Sequence, residues 1–409
     1  MEAGIGVGGM ALAKDESASL PFNIFSPIEI ETSVKQSVKQ TFYPSSSTTS
    51  MGPFSITIPP DPDKWIDCGS IRLHGRMKIS KQVGNVKSDM GDDDNIGTVD
   101  NIFHSLWAAI RVKINGTEIT DPTGKWYSYK SLLETKLSYS HDTKQLLLSN
   151  QGYCQDTANY YEDFGTPATG LTEAIPSKNI GWLTRKGWFA KSRWCYFNIS
   201  LHSDLTTLRN YLPPNQKLEF VLERNPDSFC EMGTFAPGTS YPIDLENIHI
   251  TLDKKEPSAE VQKYYMKQIN AGYSPRLTID RSVIKSYIVT AGKSDLSHYN
   301  IISGSQLPDQ LIIGIVSEDA YNGSLGTNPF FFNDYDIIEA SILVNGRHEP
   351  VELYKMNKEE NDTADMWANF LSNVGVGAGD DTQFGVTKDD FFGGTFLLAW
   401  DRTPDKCNR

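Results

Sequence analysis

A β-hairpin signal occurs twice in this chain of 409 residues. Residues 110–119 read IRVKINGTEI and residues 341–351 read SILVNGRHEPV, so in each an alternating apolar strand runs into Asn-Gly. Both positions of a two-residue hairpin turn need positive φ, which Asn and Gly adopt at low cost. Two such hairpins with similar strand signals upstream predict one kind of β-domain used twice.

The remaining hydrophobic pattern is mostly that of short strands. In residues 71–79 apolar side chains alternate with Arg, His and Lys, which predicts a sheet with one buried and one solvated face. Comparable strand patterns occupy residues 54–58, 195–201, 218–222, 248–252, 283–289, 311–316 and 395–400. Because βα alternation is absent, β-sandwiches or jelly rolls are favoured over a Rossmann or barrel enzyme.

A predicted helix divides the strands into two groups. Residues 256–272 have helical spacing of apolar residues, with Ser258 placed to cap the start and Gly272 to end the helix. We therefore expect four parts: a flexible N-terminal arm (1–25), a first β-domain (26–255), the linker helix (256–272), and a second β-domain with the C-terminal tail (273–409). A short amphipathic helix is predicted at 129–137, and long polar loops are predicted at 80–100, 148–180 and 357–390, the last with one amphipathic piece around 366–371.

Composition and charge exclude several classes of protein. Hydrophobic residues make up 39% of the chain, which is enough for a core, and the formal net charge of −13 argues against coating nucleic acid through phosphate contacts. No apolar run reaches the roughly 18 residues of a membrane span, and the N-terminus lacks the pattern of a secretory signal. An odd number of widely spaced cysteines predicts folding in a reducing compartment, the cytoplasm or nucleus. They are Cys68, Cys154, Cys195, Cys230 and Cys407.

One segment, residues 182–197, interleaves cations with aromatic side chains. The cations are Arg185, Lys186, Lys191 and Arg193. Such a mixture can bind single-stranded nucleic acid by stacking and phosphate contact. The alternative is a strand entrance whose aromatics pack in the core or at a subunit interface, and the acidic surroundings favour that alternative.

Other candidate sites are weaker. Carboxylates at Asp89, Asp92, Asp93 and Asp94 could bind a hard cation, but they lack EF-hand spacing, so a solvated loop is favoured. The glycine clusters at 4–9 and 375–379 lack a phosphate-binding context. The histidines are dispersed, and adjacent His202-Ser203-Asp204 cannot ordinarily assemble a triad. We therefore assign no catalytic, cofactor-binding or metal-binding residue, and expect no cofactor.

Three segments carry a resemblance to a known family. They are residues 100–117 (DNIFHSLWAAIRVKINGT), 209–232 and 306–332. They resemble the double jelly-roll, hexon-like major capsid proteins of adintoviruses and Polinton-type elements among midsize double-stranded DNA viruses. The resemblance spans most of residues 50–355. It implies a mainly all-β fold of two tandem jelly rolls with long loops and few short helices.

The resemblance also implies a function. Three copies would form a pseudo-hexagonal capsomer of an icosahedral shell, with neighbouring capsomers, penton and minor capsid proteins as partners. The chain would be a structural protein of the virion, with neither a membrane span nor sequence-specific nucleic-acid binding. The alternatives are a pentameric vertex (penton) protein with one jelly roll plus an insertion, and a carbohydrate-active or cupin-like β-sandwich enzyme, which needs clustered His or carboxylates.

Overall fold

The structure is a computed structural model and describes residues 32–45, 52–120, 126–166, 175–235, 237–293, 295, 307–375 and 385–403. The predicted N-terminal arm, residues 1–25, lies outside the described residues. The chain divides into two compact units, one of residues 1–37 with 255–275, the other of residues 38–254 with 276–409.

Strands predominate, as the sequence predicts. They are β1 (Val34–Phe42), β2 (Phe54–Ile58), β3 (Trp65–Ile79), β4 (Lys81–Val83), β5 (Val86–Ser88), β6 (Asn95–Thr98), β7 (Trp107–Ile114), β8 (Thr117–Glu118), β9 (Cys195–Ser200), β10 (Leu218–Arg224), β11 (Glu231–Thr234), β12 (Thr239–Ser240), β13 (Ile243–Pro257), β14 (Gln310–Gly314), β15 (Glu339–Val344), β16 (Arg347–Lys355) and β17 (Leu397–Asp401).

The helices are few and mostly short. They are α1 (Ile102–Ser105), α2 (Trp126–Ser138), α3 (His141–Leu146), α4 (Ile180–Phe189), α5 (Asp227–Cys230), α6 (Ala259–Asn270), α7 (Glu318–Asn322), α8 (Ala364–Val374) and α9 (Lys388–Phe392). The predicted amphipathic helix at 129–137 is confirmed as α2, and the amphipathic piece at 366–371 lies within α8. The fold class, mainly β with several sheets and few helices, is therefore confirmed.

Eight of the strands form a jelly roll. One four-stranded sheet has the order β1-β13-β3-β9 and the other the order β2-β10-β7-β8. Counted along the chain within this set, the first strand pairs with the eighth, the second with the seventh, the third with the sixth and the fourth with the fifth. That is the pairing of one long hairpin folded across two sheets, which defines a jelly roll. The first predicted sandwich is thus present.

The two sheets bury alternate residues of their strands. In β3 the buried residues alternate with partly exposed ones over most of its length. Leu73 and Ile199 face each other across β3 and β9, while Phe220 pairs with both Ile56 and Val112. All five side chains are fully buried. Burial of each such side chain contributes about 1.5–3 kcal/mol relative to exposure, so this double layer is the main apolar core.

Both Asn-Gly sequences form the predicted two-residue turn. Asn115 and Gly116 have φ values of 50° and 85° and join β7 to β8, with Ile114 opposite Thr117. In the β15–β16 hairpin, Asn345 and Gly346 have φ values of 51° and 78°. The two turns are therefore equivalent in backbone conformation.

The smaller unit contains the predicted helix, observed as α6. The Ser258 side chain accepts a hydrogen bond from the Val261 N–H, and Gly272 adopts φ +85° just beyond the helix end. Both end signals predicted from the sequence are confirmed. Within this unit, Lys35 forms an ion pair with Glu256 at 2.5 Å. The role of α6 as a linker between two sandwiches remains a prediction.

The C-terminal region, residues 276–403, differs from the expectation in detail. Its described strands form two antiparallel pairs, β14 with β17 and β15 with β16. The predicted strand at 283–289 is wrong: these residues form no strand, and Val283 and Ile288 are exposed. An apolar alternation becomes a strand only where a ladder partner is available. The second sandwich, and with it the expected boundaries at 255 and 273, remains a prediction.

The segment 80–100, predicted as a polar loop, contains three strands. β4 and β5 form a hairpin around Gly84, whose φ is +59°, and β6 pairs with β11. All four residues of β6 are buried. Gly84-Asn85 is itself a two-residue turn signal, which the acidic composition of the segment obscured.

Candidate functional site

The basic-aromatic segment 182–197 runs through α4 into β9. The Asn179 side chain caps α4 by accepting from the Trp182 N–H at 3.1 Å. Trp182, Arg185 and Phe189 follow helical spacing on one face, and all three are fully buried. The Trp182 indole N–H donates to the carbonyl oxygen of Met232 at 3.1 Å. This face of α4 therefore belongs to the core.

Arg185 is the centre of a buried ionic cluster. Its Nη2 lies 2.5 Å from Asp156 Oδ1, its Nε donates to the Thr98 carbonyl oxygen at 2.8 Å, and its Nη1 donates to the carbonyl oxygen of Cys154. Nη1 also lies 4.0 Å from Asp100 Oδ1. A fully buried guanidinium is tolerated only when its charge is paired and its donors are satisfied, and Arg185 meets both conditions.

The carboxylates of the cluster respond to this environment. Burial raises the pKa of Asp100, although Arg185 opposes the shift. Asp100 Oδ1 accepts from the backbone N–H groups of Asn101 (2.7 Å) and Cys154 (2.8 Å), whereas Oδ2 is buried without a hydrogen-bond partner. Burial lowers the pKa of Arg185, but Asp156 and Asp100 outweigh it and hold that pKa above its ordinary value. The contacts of Arg185 with two other chain segments suit the cluster to fixing those segments in place.

The cluster connects the jelly roll to the C-terminal region. Asn328 Nδ2 donates to Asp156 Oδ2 at 2.9 Å. Lys136, fully buried on α2, donates to Thr395 Oγ1 at 3.0 Å and to the Tyr161 hydroxyl at 3.2 Å. The segment at about 148–177 has no consistent hydrophobic period, which predicts a surface excursion. That expectation is wrong for Asp156 and Tyr161, which are buried because they contribute to this cluster.

Aromatic packing reinforces the same connection. Tyr129 stacks on Tyr321 with ring centroids 5.9 Å apart and meets Phe330 edge-on at 5.6 Å. Its hydroxyl donates to the Pro329 carbonyl oxygen at 3.1 Å. Phe330 is fully buried and also contacts Phe229 at 5.8 Å. The C-terminal region thus uses the jelly roll as part of its own core.

The other cations of the segment are also occupied by this chain. Lys186 donates to Asn95 Oδ1 at 2.6 Å, Lys191 pairs with Asp92 at 3.0 Å, and Arg193 donates to the Ala190 carbonyl oxygen at 3.3 Å. Together with the burial of Arg185, these contacts favour the packing interpretation over a nucleic-acid groove.

The end of the segment reaches an exposed sheet face, formed by β3, β9 and β13. The Arg76 guanidinium lies 4.5 Å from the Trp194 ring and 3.0 Å, through Nε, from Glu246 Oε2. Tyr196 is 68% exposed beside it. On the same sheet the His74 and His249 rings stack with centroids 4.8 Å apart. We call this face the aromatic-cationic face.

The remaining candidate sites do not converge. Asp89 lies 3.8 Å from Lys78, and Asp94 lies 2.7 Å from Lys81, so these acidic side chains pair with cations individually. Within the part of the chain that the structure describes, no group of three or more His, Cys, Asp or Glu side chains is placed to hold a metal ion. The glycine cluster 4–9 lies outside the described residues, and Gly375 ends α8 with φ 91°.

The adjacent residues His202, Ser203 and Asp204 bond to different partners. His202 Nδ1 lies 2.7 Å from Glu134 Oε2, and Asp204 contacts Lys130. They therefore form no triad.

In the described ranges, no helix combines the length and the apolar character needed to cross a membrane.

Sequence reasoning missed Asp100, Asp156, Asn179 and Asn328. They lie in segments without a regular hydrophobic period, and their partners are remote in the chain. No local signal marks them, except that Asn179 stands directly before an amphipathic helix, where Asn is a preferred cap.

Comparison with known proteins gives three kinds of result. No family model matches the chain. An uncharacterized protein of Caenorhabditis elegans is 21% identical over 328 residues, which are 79% of this chain and 73% of that protein.

Among solved structures, the chain is similar to chains of viral particles. The Faustovirus major capsid protein is 11% identical with a TM-score of 0.39, over 60% of this chain and 58% of that one. A chain of the Sputnik virophage is 14% identical with a TM-score of 0.39, over 57% and 50%. The mavirus major capsid protein is 11% identical with a TM-score of 0.33, over 71% and 52%. The chain thus spans about half to three fifths of these structures, and its jelly-roll assignment rests on its own strand order.

Proposed function

We propose that this chain is a viral major capsid protein of the double jelly-roll class. In this proposal three copies form a pseudo-hexagonal capsomer of an icosahedral shell. The observation that carries the proposal is the jelly-roll pairing of eight strands in two four-stranded sheets. This architecture recurs in viral capsid and lectin domains, and it places rigid sheet faces and long loops where subunits can meet.

The surface supports an assembly role. Tyr43 and Tyr196 are 67% and 68% exposed, the latter on the aromatic-cationic face. Aromatic and Arg side chains are enriched at the centres of protein interfaces, where a few of them carry most of the binding energy. We place a subunit contact on this face, with neighbouring capsomers, penton and minor capsid proteins meeting other surfaces of the trimer.

The proposal includes a cellular setting. The protein folds in the host cytoplasm or nucleus and then resides in the virion. It performs no catalysis, needs no cofactor, spans no membrane and does not read nucleic-acid sequence. Burial at interfaces, rather than chemistry at a cleft, is its contribution to the virus.

Assembly tests the proposal directly. The full-length chain is purified and measured by mass photometry, then imaged by electron microscopy. We expect a species of three times the 45.7 kDa chain mass, seen as threefold towers. A pentamer would instead support the vertex protein. A monomer at high concentration, without threefold particles, would contradict both.

A pair of variants tests the position of the interface. Tyr196→Glu introduces a charge on the aromatic-cationic face, and we expect it to shift trimers to monomers. Leu343→Glu is the control, since Leu343 is 59% exposed in β15, which pairs only with β16 and is not part of the sheet that carries that face. Equal loss of trimer in both variants would show that the subunit contact does not lie on this face.

A further inference from the structure

A lysine and an aspartate meet inside the larger unit with a third acidic side chain beside them. Lys130 on α2 contacts Asp204, which follows β9. Glu134, one helical turn after Lys130, lies 3.5 Å from the Lys130 Nζ through its Oε1. Its other oxygen, Oε2, lies 2.7 Å from His202 Nδ1, which fixes the carboxylate in place.

The pair is withdrawn from water. The side chains of Lys130 and Asp204 are only 5% and 7% exposed, and their neighbours in sequence, Tyr129 and Leu205, are buried as well. In such surroundings separated charges are poorly solvated, which favours a reaction that removes both charges. Exclusion of water also favours a condensation, because water is its product.

We infer that Lys130 and Asp204 become joined by an intramolecular isopeptide bond. One ammonium proton passes to the Asp204 carboxylate, which becomes the neutral acid. The Lys130 Nζ then attacks Cγ of Asp204, while the Glu134 carboxylate accepts a second proton from the nitrogen. Glu134 returns that proton to the departing hydroxyl group. One C–N bond forms, one C–O bond breaks and one water leaves, so neither an oxidant nor a reductant is needed.

The site contains the parts that this step requires. Glu134 is positioned to move the proton, and the backbone N–H of Ser282 donates to Asp204 Oδ2 at 3.4 Å, where negative charge develops during the attack. Because Asp204 Oδ1 faces the lysine and Oδ2 faces this donor, the carboxyl group is held with its two oxygens in different roles.

The bond would cross-link the jelly roll. It closes a loop between residues 74 positions apart and ties α2 to the segment that follows β9. Like a disulfide, such a link restricts the unfolded chain. Unlike a disulfide, an amide bond is a covalent staple that a reducing compartment leaves intact.

Mass spectrometry of the folded full-length protein decides the question. We expect an intact mass lower than the sequence mass by one water, and a branched peptide that joins the segments around Lys130 and Asp204 after proteolysis. Lys130→Arg and Asp204→Ala should show the full mass of their sequences. Lys144→Arg changes another buried lysine, which contacts the Lys136 carbonyl oxygen, and should keep the water loss.

Glu134→Gln tests the proton transfer separately. This variant retains the size of the side chain but cannot accept the proton, so we expect the unlinked form to accumulate in protein that is folded by circular dichroism. The inference would be overturned if the folded wild-type protein had its full sequence mass and released separate Lys130 and Asp204 peptides. Lys130 and Asp204 would then form an ion pair without a covalent bond. The wild-type measurement decides even if a variant fails to fold.

Discussion

The jelly roll and the C-terminal region contain the same turn in different settings. In both, Asn-Gly has positive φ and joins two antiparallel strands. The strand before the first turn, β7, has four of its eight residues buried and belongs to a four-stranded sheet. The strand before the second, β15, has none of its six residues buried and belongs to a two-stranded sheet. The turn residues therefore determine whether a hairpin forms, whereas the available partner strands determine whether that hairpin becomes part of a sandwich.

The two regions also differ in how they are stabilised. The jelly roll has its own double layer of apolar side chains. The C-terminal region places Phe330 and Asn328 against residues of the first half, through the Tyr129 contacts and the Asp156 carboxylate. The difference predicts that the C-terminal region depends on the jelly roll for stability more than the reverse.

The largest effect is expected at the ionic cluster that connects the regions. Arg185→Ala leaves Asp156 and Asp100 buried without their cation, and removing one partner of a buried pair costs about 3–5 kcal/mol. We expect both regions to lose stability together in urea unfolding followed by circular dichroism. Arg193→Ala is the control, because its side chain is exposed, and should change stability by about 0.5 kcal/mol or less. If the two variants lost the same stability, the contacts of Arg185 would not be the ones that stabilise the two regions.

A pair of isoleucines compares the hairpins themselves. Ile110 in β7 is fully buried, while Ile342 in β15 is only partly buried. Ile110→Ala should destabilise by about 3 kcal/mol, since it removes buried methyl groups and leaves a cavity, and Ile342→Ala by about 1 kcal/mol. Denaturant midpoints with unchanged m-values measure the difference. If the two costs were equal, the second hairpin would be as deeply packed as the first.

A pH dependence is expected at Glu231 in β11. Burial, with a smaller effect of Asp227, raises the pKa of this carboxyl well above its ordinary value, and Oε1 has no hydrogen-bond partner. The folded state thus holds this proton more tightly. The contribution of Glu231 to stability is therefore fully present below the unfolded pKa of about 4.3 and is lost as pH rises through the folded pKa.

Glu231→Gln removes this titration while retaining the shape of the side chain. Between the unfolded and the folded pKa of Glu231, the free energy of unfolding of the variant relative to wild type should rise by up to about 1.4 kcal/mol per pH unit. Urea unfolding at several pH values measures this difference. A constant difference between the two proteins would contradict the raised pKa. Since β11 also meets the C-terminal region through the Gly233 N–H and the Leu325 carbonyl oxygen at 3.1 Å, the effect should reach both regions.

The smallest effect is expected in the turns, and it should be the same in both. Gly116 and Gly346 have φ of +85° and +78°, and each has open space around an added Cβ. Gly116→Ala and Gly346→Ala should therefore cost only the backbone strain of positive φ, about 1 kcal/mol each. Thermal unfolding of the two variants would show a difference if the turns were not equivalent.

Local features of the fold were predictable from the sequence, because they depend on neighbours in the chain. Alternation identified β3, Asn-Gly identified both turns, and Ser258 with Gly272 marked the ends of α6. The same approach was wrong for 283–289, where an alternating pattern has no ladder, and it missed Gly84-Asn85 within acidic surroundings.

The candidate sites depended on contacts that no local pattern records. The basic-aromatic segment was identified correctly as a mixture of cations and aromatics, and its packing interpretation was favoured. That Arg185 would be fully buried beside Asp156 could not be predicted, since the two residues belong to different segments. The approach of Lys130 to Asp204 is of the same kind, because it joins a helix to a segment beyond the next strand of the sheet.

The amino-acid sequence was sufficient to predict the turns, the helix ends and most strands, and to predict that the protein is mainly β. Only the tertiary structure decided which strands share a sheet, which charges are buried and how the C-terminal region is supported. The physical reason is range: backbone conformation at a turn or cap is governed within a few residues, whereas burial and ion pairing arise from side chains that folding brings together from distant positions.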